Sequence, residues 1–107
     1  MQDARKQLEE KELKMNYYNK IVLVGFMSEW CGACHAQNPI LDELGKIVGN
    51  KAEIIKVDVN AHRDIVREWN VEATPTLFIL KNDTILKKYI GLTDRYILES
   101  AIDNALT

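Results

Sequence analysis

The chain reads as a small α/β sandwich, a sheet of mixed parallel and antiparallel strands with helices packed on it. Three observations predict this. Short runs of branched apolar residues alternate with stretches whose apolar residues recur at helical spacing, the pattern of βαβ units. Two of those runs, Thr76-Leu77-Phe78-Ile79-Leu80 and Ile85-Leu86-Lys87-Lys88-Tyr89-Ile90, are joined by the turn-rich tetrapeptide Lys81-Asn82-Asp83-Thr84, which predicts an antiparallel hairpin. A length of 107 residues suits one hydrophobic core and not two. Residues 1–107 are therefore expected to form a single domain, with 1–19 as an opening helical segment and 20–107 as the α/β unit.

Each element has a local reason. From Asp3 to about Asn16, Ala4, Leu8 and Met15 form a thin helical stripe among charges, with no Gly or Pro to stop it. Lys20 to Met27 is a near-continuous apolar run, as expected of a central strand covered on both faces. A helix from about Cys34 to Val48 follows, with Ile40, Leu41, Leu44, Ile47 and Val48 on one face. Pro39 removes one backbone hydrogen bond and crowds the preceding turn, which predicts a kink near Gln37 and Asn38. Glu53 to Val59 is the next strand, ending at Asn60. A short helix runs from about Arg63 to Trp69, with Ile65, Val66 and Trp69 pointing inward. After the hairpin, Gly91 stops the last strand, and a final helix from about Asp94 to Ala105 carries Ile97, Leu98, Ala101, Ile102 and Ala105, with Thr93 or Asp94 as its cap. The order is α-βαβ-α-ββ-α. Phe26, Trp69 and Phe78 are expected in the core.

Charge and composition narrow the function classes. Hydrophobic residues at 47% and charged residues at 28% describe an ordinary globular chain. A net charge of -2 supplies no basic field, so neither nucleic acid nor an anionic membrane surface is an expected partner. Ile21 to Met27 is too short to cross a bilayer, and Met1 leads into charges instead of a signal-peptide apolar segment. A soluble, cytoplasmic monomer is expected, with a periplasmic or other extracytoplasmic setting as the alternative if a leader has been removed.

The chemistry is concentrated in Trp30-Cys31-Gly32-Ala33-Cys34-His35, which contains both cysteines of the chain. A C-x-x-C placed after a strand puts the first sulfur at the N-terminus of the following helix, where unpaired N–H groups and the helix dipole favour a thiolate. The second sulfur lies one turn along, near enough to close a disulfide. Two such thiols suit disulfide exchange, one attacking and one resolving the mixed disulfide. Other chemistries use the same letters. A structural zinc site needs four ligands, and only His35 and His62 could join the cysteines, with His35 poorly placed beside Cys34. Cys31 to His35 also spells the C-x-x-C-H of c-type haem attachment, but the strand signals and Thr74-Pro75-Thr76 do not suit a small helical cytochrome. No metal and no bound cofactor are expected.

Beyond these residues the chain resembles the thioredoxin family, from Lys20 to the C-terminus. The carriers of the resemblance are Trp30-Cys31-Gly32-Ala33-Cys34, Pro39-Ile40-Leu41-Asp42-Glu43-Leu44 in the helix behind it, Lys56-Val57-Asp58-Val59, Ala73-Thr74-Pro75-Thr76, and Gly91. The resemblance implies a three-layer sandwich with a central mixed sheet of four or five strands, and protein thiol–disulfide exchange as the activity. It also implies a cis bond before Pro75 opposite the dithiol. Cys31 would attack, Cys34 would resolve, and Trp30 would form an apolar rim. The Thr74 backbone would pair with an extended client segment. Disulfide-containing client proteins and a reductase as electron donor are the implied partners. Two alternatives stay open, an exported relative dedicated to a few clients such as apocytochromes, and a client-binding module with an idle dithiol.

Three positions and the opening segment depart from the family. Ala33 stands where many thioredoxins have proline, which leaves an extra N–H near the sulfurs and predicts a less reducing couple. Gly25 replaces a buried aspartate thought to relay protons to the resolving cysteine, leaving Lys56 without its usual partner and making Glu29 and His35 the substitutes within reach. His35 itself replaces a common lysine and would add pH-dependent charge beside the thiolate. Met1 to Asn19 shows no strand-like alternation, so the sheet is expected to have only four strands.

Overall fold

The computed structural model describes residues 20–82 and 84–107. Four strands, β1 (Ile21–Met27), β2 (Ala52–Asp58), β3 (Thr76–Lys81) and β4 (Thr84–Ile90), form one sheet among the described residues, in the order β2-β1-β3-β4. Among the described residues three helices accompany them: α1 (Gly32–Val48), α2 (Arg63–Glu68) and α3 (Arg95–Leu106), with a 3-10 turn at Gly49–Lys51. The expected opening helix over residues 3–16 lies outside the described residues.

β1 is central, parallel to β2 and antiparallel to β3. All seven of its residues are buried, as its unbroken apolar run predicts. Strand alternation then sorts the core into two halves. Val22, Val24 and Phe26 face one side with Ile55, Val57, Phe78 and Leu80, where Ile65 and Trp69 of the α2 region cover them. Ile21, Leu23 and Met27 face the other side with Leu77 and Ile79, under Leu41, Leu44 and Val48 of α1 and Leu98 and Ile102 of α3. This is the three-layer α/β sandwich expected from the sequence.

The hairpin turns through Asn82 at φ 55°, with Lys81 opposite Thr84. Asparagine tolerates this left-handed conformation, which matches the twist of the flanking strands. A register shift between Ile79 and Leu80 leaves β4 irregular at its middle. α3 starts where Asp94 caps it by accepting the Tyr96 N–H at 2.7 Å, settling the choice between Thr93 and Asp94.

Three expectations need correction. α1 begins at Gly32 instead of Cys34, because the Cys31 side chain itself caps the helix. α1 is a 17-residue helix with Pro39 in its middle. Its buried stripe is Cys34, Gln37, Leu41, Leu44 and Val48, so Ile47 is exposed and Ile40 only half-buried. On α3, Ile97 is likewise exposed.

Candidate active site

The site forms where β1 ends and α1 begins. Cys31 has extended backbone angles and occupies the N-cap, a position normally taken by Ser, Thr, Asp or Asn because their oxygen accepts an orphan helix N–H. Here sulfur does that work: the Cys34 N–H donates to Cys31 Sγ at 3.1 Å. Cys31 O accepts the Cys34 and His35 amides at 3.1 and 3.3 Å, closing the first turn. From the opposite side the Cys31 thiol donates to Thr74 O at 3.3 Å. The Thr74–Pro75 peptide is cis, Pro75 is buried, and Pro75 O accepts the Gly91 N–H at 2.8 Å. Gly91 has φ 91°, a conformation that an L side chain would strain. Thus β1, the β3 leader and the β4 exit converge on one sulfur.

The two thiols are tuned in opposite directions. Hydrogen bonding from the Cys34 side chain, then from Thr74, with further help from the Cys34 and Ala33 amides, holds Cys31 below the ordinary thiol range; burial opposes this. Burial pushes Cys34 upward, and its hydrogen bond to Cys31 pushes the same way. Both cysteines are free thiols, Cys31 partly exposed and Cys34 only 4% exposed. At neutral pH this leaves an accessible nucleophile in front of a protonated, shielded partner.

The remaining expected site residues fall into two groups. Trp30 is 84% exposed at the mouth of the site, with Gly32 and Ala33 exposed in the turn behind it. Glu29, His35 and Lys56 line a cleft of about 340 Å³ that reaches Cys34 from behind, with Ser28, Asn38 and Asp58. The His35 ring pairs with Glu29 O at 2.9 Å, and Lys56 pairs with Asp42. Lys56 thus lacks the family's aspartate at position 25, as expected, and pairs instead with the exposed Asp42 of α1. At Gly25 the family's carboxylate position is tight, because a Cβ there would lie 3.2 Å from both Leu41 Cδ1 and Leu77 Cδ2, whose side chains would have to give way. Among the described residues, no three His, Cys, Asp or Glu side chains are grouped to hold a metal ion.

Two residues to which the sequence reading gave no role at the site lie next to it. Gln37 is 0% exposed and bonds the backbone of Thr93 twice, Nε2 donating to Thr93 O at 3.0 Å and Oε1 accepting the Thr93 N–H at 2.8 Å. Asp58 lines the cleft and accepts the Asn60 N–H at 2.9 Å. Gln37 was legible in principle, since it falls on the i, i+4, i+7, i+11 line of Leu41, Leu44 and Val48, a polar residue at a core position.

The thioredoxin family model matches residues 4–104. The chain belongs to the thioredoxin family. It is 30% identical to the thioredoxin of Bacillus subtilis (strain 168) over 86 residues, covering 80% of this chain and 83% of that one. It is 34% identical to the mitochondrial thioredoxin of Mus musculus over 79 residues, 74% of this chain and 48% of that one. The chain spans about half the length of several such relatives. Among solved structures it superposes on thioredoxin-2, a component of malaria parasite protein secretion machinery, with a TM-score of 0.80 at 29% identity, covering 84% of this chain and 87% of that one. The thioredoxin of Malassezia sympodialis gives 0.78 at 25% identity over 99% of this chain and 89% of the other. With these relatives, the chain is a thioredoxin-type thiol–disulfide oxidoreductase whose Cys31 and Cys34 lie close together, consistent with a C-x-x-C site, and thioredoxin membership implies disulfide substrates and a reductase partner.

Proposed function

We propose that this protein reduces disulfides in client proteins, with Cys31 as nucleophile and Cys34 as resolving thiol. The observation that carries this is the Cys31 sulfur itself, capping α1 and touching Thr74 beside the cis Pro75 while Cys34 stays buried behind it. The Cys31 thiolate attacks one sulfur of the client disulfide, whose S–S bond breaks and whose other sulfur leaves as a thiolate. Cys34 then loses its proton and attacks Cys31 Sγ. That step breaks the mixed disulfide, releases the second client thiol and closes a Cys31–Cys34 disulfide. Two electrons pass to the client, and a reductase restores them.

Client contact follows from the same geometry. Ionisation of Cys31 removes the S–H that Thr74 O accepts, freeing this carbonyl for a client backbone N–H in a short strand-like pairing. Trp30, with Ile90 and Leu92 on either side of Gly91, offers exposed apolar surface around the opening. Proton exchange at Cys34 passes through the cleft lined by Glu29, His35, Lys56 and Asp58. One copy of the chain suffices, since a single domain supplies both thiols and the rim. This function belongs with reducing surroundings such as the cytoplasm.

Cys31→Ser should abolish reduction of a protein disulfide, and Cys34→Ser should accumulate covalent client adducts through Cys31. Turnover that survives Cys31→Ser would overturn the proposal.

A further inference from the structure

The rim that meets the client and the helix that carries the resolving thiol are far apart in sequence, and one side chain joins them. Gln37 sits one turn after Cys34 on the buried stripe of α1. Its amide forms a two-bond clasp with the backbone of Thr93, at 2.8 and 3.0 Å. Thr93 is buried, and its hydroxyl donates to Gly91 O at 3.0 Å. Gly91 in turn donates to Pro75 O at 2.8 Å, next to the Thr74 carbonyl that touches Cys31 Sγ. The hydrogen bonds run in a closed circuit from α1 through Thr93, Gly91 and Pro75–Thr74 back to Cys31 at the head of α1. Ile90 and Leu92, 69% and 54% exposed, are carried on the segment that this circuit fixes.

We propose that Gln37 is a positioning residue for client recognition: it locks the Ile90–Thr93 segment against α1, so that the apolar rim and the Thr74–Pro75 edge present one fixed surface to a protein disulfide. A backbone segment between a strand and a helix has no regular ladder to satisfy it, and an amide whose donor and acceptor face the same residue holds it in one register. Gln37 touches neither sulfur in any bond described, so its effect falls on docking of large substrates and not on thiol reactivity. This inference rests on the disulfide-reductase function proposed above.

The test compares two disulfides on the full chain, insulin as a protein substrate and a small aromatic disulfide that needs no extended rim. Gln37→Met keeps length and removes both bonds; Gln37→Glu keeps an acceptor for the Thr93 N–H and loses the neutral amide donor. For insulin, KM should rise about five- to tenfold in Gln37→Met and by an intermediate factor in Gln37→Glu, with kcat within about twofold. For the small disulfide, and for alkylation of Cys31 by iodoacetamide, both variants should stay within about twofold of the parent. Equal losses on both disulfides, or an unchanged insulin KM in a folded variant, would overturn the inference. Should Gln37→Met not fold, the same criteria applied to Gln37→Glu decide it. A parent protein that reduces neither disulfide would instead overturn the function itself, and the inference with it.

Discussion

The two faces of the sheet do different jobs with different residues. On the α2 face, Phe26, Trp69 and Phe78 pack with ring centroids 5.0 to 5.6 Å apart, Phe78 meeting the other two rings edge to face and Phe26 and Trp69 tilted at 58°, and Thr76, on the strand face of Phe78 and Leu80, is the buried polar residue of that side. On the other face, the α1 and α3 side chains are aliphatic, and Cys34, Gln37 and Thr93 are buried in the same layer. Aromatic pairs in this geometry contribute about 0.5–1.5 kcal/mol each beyond area burial, so the α2 face anchors the sheet. The chemical face gains reach instead, because its long helix begins just after β1 and turns its first N–H groups on Cys31. Alternation along β1 alone assigns each residue to one job or the other.

Variants on each face should therefore separate stability from reactivity. Trp69→Ala should give the largest effect, a loss of about 3–5 kcal/mol in unfolding free energy, as for other buried tryptophans, read from the denaturant midpoint. The alkylation rate of Cys31 in the folded fraction should not change; a slower rate would mean that the faces are coupled. Gly25→Asp crosses from one job to the other. Its Cβ must push Leu41 and Leu77 aside, which should cost about 1–3 kcal/mol by overpacking. By resemblance the new carboxyl should quicken decay of the Cys34-resolved mixed disulfide at neutral pH. An unchanged or slower decay would show that the cleft already suffices for proton exchange.

Ala33→Pro should give the smallest effect and the most specific one. Ala33 occupies the first turn of α1, where proline is tolerated, and its amide helps hold Cys31 below the ordinary thiol range. Removing that N–H should move the midpoint of Cys31 alkylation to higher pH. The rate, which falls as the medium is acidified through that midpoint, should then fall sooner. The Cys31–Cys34 couple should become more reducing by on the order of 10–30 mV, as the thiolate loses a donor. Equilibration against glutathione measures it, and a potential that does not move would remove the Ala33 amide from the account.

Much of this was legible in the residues. The apolar run of β1, the hairpin signal and the C-x-x-C after a strand gave the sheet, its turn and the dithiol by local rules. The start of α1 was not legible, because the usual capping residues offer an oxygen acceptor and a capping sulfur lies outside that rule. The face of α1 is not set by an apolar count, since Ile47 fits that count but points outward, while the polar Gln37 falls on the core line and is buried. The Gln37–Thr93 and Lys56–Asp42 pairs join residues distant in sequence, and only the folded packing brings them together.

The molecule has two tryptophans, one on each side of this division. Indole emission moves to the red in water and to the blue in apolar surroundings, so Trp30, 84% exposed beside Cys31, and Trp69, buried among phenyl rings, should emit in separable bands. Native fluorescence thus offers two independent channels without any label, one tracking sulfur oxidation at the mouth and the other tracking integrity of the opposite layer.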